Sequence, residues 1–133
     1  MSTPDPAGDD AVRLFEEAGE HDSAGREEQA APLYVQALQA GLDDDRHAQA
    51  VVQLASTLRN LGRVEEAVEL LETLAPDTSV GSARAAFLAL ALHDAGRPDE
   101  ALRVALEALI PTLPRYQRSL TAYVAGINAA PER

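Results

Sequence analysis

The chain has 133 residues and carries 11 basic side chains, all arginine, against 22 acidic ones, with 3 histidines and no cysteine or tryptophan. A formal net charge of −11 counts against non-specific binding to DNA, RNA or an anionic membrane, which needs clustered cations. The absence of cysteine removes disulfides, thiolate nucleophiles and sulfur-ligated metal centres. The length suits one compact domain, and a hydrophobic content of 46% is too high for a chain disordered throughout. Charge is unevenly placed: residues 1–45 hold 12 acids against Arg13 and Arg26, while residues 81–133 are net +1.

In chain order, Met1 to Asp10 has three acids, two prolines and no apolar stretch, so it is expected to be a flexible acidic start over residues 1–8 and not a targeting signal. Helices are expected at about 9–22 and 26–40, separated by Ala24-Gly25-Arg26. The next pair is placed at about 45–61 and 64–75, with Asp45 as N-cap and Leu61-Gly62-Arg63 as the break. A third pair is placed at about 79–95 and 98–110, with Ser79 as N-cap, Ala95-Gly96-Arg97 as the break and Pro98 at the first helical position. A last helix is expected at about 114–129, opened by Pro114. No segment shows strand alternation or the 18 consecutive apolar residues of a membrane span, and the cytoplasm is the default compartment.

The three apolar-Gly-Arg breaks expose a period, since their glycines lie 37 and 34 residues apart. With Gly62 as fifteenth residue of a 34-residue unit, units begin at Ala11, Ala48 and Ser82. The eighth position is then Ala18, Ala55 and Ala89, and the twentieth is Ala30, Ala67 and Ala101. Small residues at fixed positions are what closely approaching helices need. Leu54 and Leu58, then Leu88 and Leu92, add the apolar spacing of a helix face. The expected fold is all-α, a helical-hairpin repeat solenoid of about seven helices. A single repeat domain is expected over residues 9–130, with units at about 11–47, 48–81 and 82–115 and a cap helix at 114–129.

These residues resemble the tetratricopeptide repeat family over roughly residues 11–129. The twenty-fourth position, apolar or aromatic in that family, is Tyr34, Leu71 and Ala105 here; the usual tryptophan at the fourth position is absent, and Leu14, Val51 and Ala85 stand there. The strings Leu54 to Arg63 and Ala86 to His93 are similar to a group of small stand-alone bacterial members of unassigned chemistry, presumed interaction modules with self-association suggested. The resemblance implies about three repeats plus a cap, and partner contacts on a concave face lined by the first helix of each unit. On this chain the implied contact positions are Gln49, Val52, Gln53, Ser56, Arg59 and Asn60, then Ala83, Ala86, Phe87, Leu90, His93 and Asp94, with Gln117, Leu120, Thr121 and Val124 from the cap. Val52 stands where co-chaperone members carry a basic residue, which disfavours a receptor for a terminal carboxylate.

Two of these sets read in more than one way. Phe87 fits the core as well as the groove, while Leu90 points away from the face marked by Leu88 and Leu92. Arg59-Asn60 and His93-Asp94 could form a polar end to the groove, or could cap and solvate their own helices.

Motifs for chemistry are missing. His21, His47 and His93 are too scattered for a metal pair, and Asp43-Asp44-Asp45 lacks the alternating ligands of a calcium loop and suits the first turn of a helix. There is no seryl nucleophile motif and no phosphate-binding glycine loop. The expectation is therefore a non-enzymatic scaffold for a protein or peptide, with no catalytic residue, metal or cofactor and no nucleic-acid or membrane partner. The alternative is a structural homo-oligomer, a dimer through the groove or the cap helix.

Overall fold

In the computed structural model, which describes residues 6–127, the chain forms seven α-helices and one 3₁₀ turn, with no strand among those residues. They are α1 (Pro6–Ser23), α2 (Glu27–Ala40), α3 (Asp44–Asn60), α4 (Val64–Thr73), α5 (Ala83–Asp94), α6 (Pro98–Leu109), the 3₁₀ turn Ile110–Thr112 and α7 (Gln117–Ile127). Consecutive helices pair as hairpins, α1 with α2, α3 with α4 and α5 with α6. Each second helix then packs on the next first helix, and α3 also packs directly on α5.

The hairpin turns follow one local rule. Gly25, Gly62 and Gly96 adopt φ of +77°, +84° and +79°, a left-handed conformation that only glycine enters without a Cβ penalty. One residue on, the N–H of Arg26, Arg63 and Arg97 donates to the carbonyl of His21, Leu58 and Leu92 at 2.8, 2.8 and 2.9 Å, closing the preceding helix end. In the second and third hairpins the same arginine grips the next helix. Arg63 donates two bonds to Glu66 at 2.6 and 2.8 Å, and Arg97 donates two to Glu100 at 3.0 and 2.7 Å. These forks hold both glutamates below the usual carboxylate range. In the first hairpin Gln29 stands in place of the glutamate, and Arg26 turns back to donate to His21 Nδ1 at 2.8 Å.

The core runs continuously from Ala18 to Ala101 through Tyr34, Leu54, Leu58, Leu71, Leu88 and Leu92. Five of the six repeated small residues are buried: Ala18, Ala30, Ala55, Ala67 and Ala101. Ala89 is half-buried. Tyr34 is the largest side chain with no exposure; its ring packs at a tilt on Phe15, and its hydroxyl donates to Asp22 at 3.0 Å. Burial, followed by the neighbouring Asp22 carboxylate, pushes that hydroxyl's pKa well above its ordinary value. Thr57 is buried without penalty because its hydroxyl donates to the Gln53 carbonyl at 2.9 Å.

The expected helix starts need four corrections. The N-terminal helix begins at Pro6, so residues 6–8 are helical, while residues 1–5 of the expected flexible start lie outside the described residues. The N-cap of α3 is Asp43, which accepts from the Arg46 N–H at 3.3 Å and the Arg46 guanidinium at 2.8 Å; Asp45 lies inside the first turn. Ser79 does not cap α5, which starts four residues later at Ala83. Asp77 wins there: its carboxylate accepts the Ser79 N–H at 2.8 Å and its carbonyl accepts the Gly81 N–H at 3.0 Å, building a turn where a helix was expected. The Ser79 hydroxyl is used elsewhere, donating at 3.2 Å to the carbonyl of Asp45. Asp77 also repels the Asp45 carboxylate and holds its pKa above the usual range.

Pro114 does not open α7 either. Leu113, ahead of the proline, is extended at ψ 138°, and Tyr116 takes a left-handed φ of 73° before the helix begins at Gln117. The expected last two residues of that helix, 128 and 129, lie outside the described residues.

Candidate functional site

The site starts from α3 and α5, the two first helices that touch. At 3.6 residues per turn, Gln49, Val52, Ser56, Arg59 and Asn60 lie on the side of α3 opposite Leu54 and Leu58. Ala83, Ala86, Phe87, Leu90, His93 and Asp94 lie likewise opposite Leu88 and Leu92 on α5. The leucines mark the core side of each helix.

Exposure along this strip is uneven. Gln53, Asn60, Ala86, Leu90, His93 and Asp94 are exposed, with Leu90 at 46%. Gln49, Ser56, Arg59 and Ala83 are half-buried. Phe87 is half-buried and packed against the core cluster, so it serves both faces. Val52 departs from the groove expectation: at 6% exposure it is a core residue, and it offers a partner no open surface. From the last helix, Gln117 is exposed but its amide donates to the Leu113 carbonyl at 2.8 Å, closing the loop before α7. Thr121 is exposed, Leu120 half-buried and Val124 buried.

The Arg59-Asn60 and His93-Asp94 positions turn out to be bonded across units. Arg59 Nε donates to Asp94 Oδ2 at 2.6 Å, joining α3 to α5, and His93 Nδ1 lies 3.6 Å from the other Asp94 oxygen. Asn60 Nδ2 donates to Glu27 at 3.0 Å, joining the end of α3 to the start of α2. Neither the groove reading nor the helix-capping reading of these residues foresaw this. For the Arg59–Asp94 pair the signal was available in the repeat itself, because the partners lie 35 residues apart, within one residue of the 34-residue spacing between those two units. Equivalent positions of adjacent units meet side by side in a stacked array. The Arg59–Asp94 pair links α3 to α5, and the exposed His93 and Asp94 share one side of α5 with the apolar Leu90 and Ala86.

Among the described residues no three His, Asp or Glu side chains group as a metal site, and no helix is long and apolar enough to cross a membrane.

Helical hairpins closed by Gly-Arg turns and stacked second-on-first along the chain define the class as a helical-repeat array. The chain belongs to the tetratricopeptide repeat family, whose profile, described as Tetratrico peptide repeat, matches residues 11–127. Membership points to protein–protein interaction as the general function. No curated protein and no solved structure matches the chain.

Proposed function

We propose that this protein is a non-enzymatic scaffold that holds a protein or peptide segment on the concave face formed by its first helices, in the cytoplasm. The observation that carries this reading is the exposed strip of Gln53, Ala86 and Leu90 beside the Arg59–Asp94 pair. It combines an apolar contact with hydrogen-bonding groups already fixed in place, which lowers the ordering cost of binding. Capture from the native extract is the test, with Leu90→Asp and Arg59→Glu compared against wild type and melting curves run on both variants. Loss of the same captured species in both folded variants supports the reading. Full capture by both moves the interface off this face.

A second reading, self-association as a homodimer, is favoured by the other end of the array. Leu102, Leu109, Tyr116 and Tyr123 are 50%, 51%, 72% and 72% exposed, and all belong to α6, α7 or the loop between them. Exposed aromatic and leucine side chains gathered at one end suit an interface. Light scattering across a concentration series separates the two: a monomer at every concentration removes the dimer, and a dimer abolished by Tyr123→Asp supports it.

A further inference from the structure

A cavity of about 670 Å³ lies on the opposite side of α3 from the strip described above. Helices α2 and α4 both pack on α3 and leave this cleft between them. Its floor is Leu54 and Leu58, one wall is Pro32 and Val35 of α2, and the other is the stripe Glu66, Glu69, Leu70 and Thr73 of α4. Val35 is 39% exposed and Leu70 is half-buried, so each wall offers an accessible apolar side chain, and on α4 it stands among charged ones.

The charge on the rim selects the occupant. The lining residues include one cation, Arg63, and its guanidinium is already held by the two Glu66 oxygens. Glu69 makes no ion pair among the described residues. Residues 64–73 carry four glutamates and no basic residue, and residues 1–45 add a net −10. An apolar cleft with an uncompensated carboxylate on its edge attracts a cation attached to an aliphatic or aromatic group and repels acidic segments.

We propose that the α2–α4 cleft is a second docking surface that takes an amphipathic segment of a partner protein, placing an apolar side chain against Val35, Leu58 and Leu70 and a lysine or arginine against Glu69. It is independent of the first-helix strip, since the two faces lie on opposite sides of α3.

The test is fluorescence anisotropy on the intact chain with a labelled helical peptide of leucine and lysine, and the matching leucine–glutamate peptide as counter-probe. The expected result is binding of the lysine peptide alone. Glu69→Arg should weaken it by about threefold to tenfold, and Val35→Asp by about tenfold or more. Glu69→Arg alters an exposed residue and keeps the test available should Val35→Asp fail to fold. Equal binding of the glutamate peptide overturns the proposal, as does unchanged affinity in the Glu69 variant. Concentration-dependent self-association that Glu69→Arg abolishes also overturns it, because the occupant would then be a second copy of the chain.

Discussion

Replacing Ala67 by leucine tests the repeat register at the point where the structure leaves least room. Ala67 has no exposed surface and sits in the continuous core where α4 meets α3. An isobutyl group there would gain about 2 kcal/mol of transfer energy if space existed, because apolar burial contributes about 0.8 kcal/mol per methylene. It does not exist without moving a helix, and overpacking of a close-packed site costs about 1–3 kcal/mol net. At this chain length a loss of 1 kcal/mol lowers Tm by about 3–6 °C. The comparison is Ala89→Leu, at the one repeated small position that is only half-buried against the core; its cost should be clearly smaller than that of Ala67→Leu. Thermal and urea melts followed by far-ultraviolet circular dichroism give both values. Equal destabilisation of the two variants, or none in either, would refute the argument that burial at the helix–helix contact makes these alanines necessary.

Three further outcomes are expected. A double-mutant cycle on Arg59→Ala and Asp94→Ala should return a coupling of about 0.2–1 kcal/mol, reduced by added salt; zero coupling would mean the 2.6 Å contact does not tie α3 to α5. Gly62→Ala should destabilise by about 1–2 kcal/mol through backbone strain alone, since a Cβ at this position meets open space; a neutral melt would contradict the left-handed turn. Tyr34→Phe should cost about 0.5–1.5 kcal/mol at neutral pH. The Tyr34 hydroxyl titrates higher in the folded chain than in the unfolded one. Its contribution is therefore complete below the ordinary tyrosine pKa near 10 and is lost as pH rises toward the folded value. Alkaline melts of the wild type should fall more steeply with pH than those of Tyr34→Phe, and parallel curves would count against the shift.

What could be read from the residues was the part that repeats. Gly25, Gly62 and Gly96 mark the turns because a left-handed residue has few alternatives, and the alanines at two fixed positions mark helix contacts because volume there is limited. The helix starts were harder to place, since Asp43, Asp45, Asp77 and Ser79 are all good caps. Their competition is settled by which carboxylate finds donors: Asp43 takes the Arg46 N–H and Asp77 the Ser79 N–H, while the Ser79 hydroxyl turns to the Asp45 carbonyl. The position of Val52 in the unit points to the groove, but an aliphatic side chain on the central helix of a small array is drawn into the core. The α2–α4 cleft was illegible for a related reason. Each wall reads as an ordinary amphipathic helix, and only the spacing of two second helices across α3 creates the opening.

The linear order of contacts has a consequence for how the array opens. Its packed helix pairs involve near neighbours along the array, and α7 is held by α6 and the 3₁₀ turn with Val124 as its one buried residue. Unfolding in such a structure is directional, since an end helix can leave without disturbing the middle. Amide hydrogen exchange should be fastest in α7 and slowest in α3, whose residues contact helices on both sides. A ligand seated on α3 and α5 would slow exchange there while leaving α7 free to open. One binding event would then divide the chain into a protected centre and a labile end.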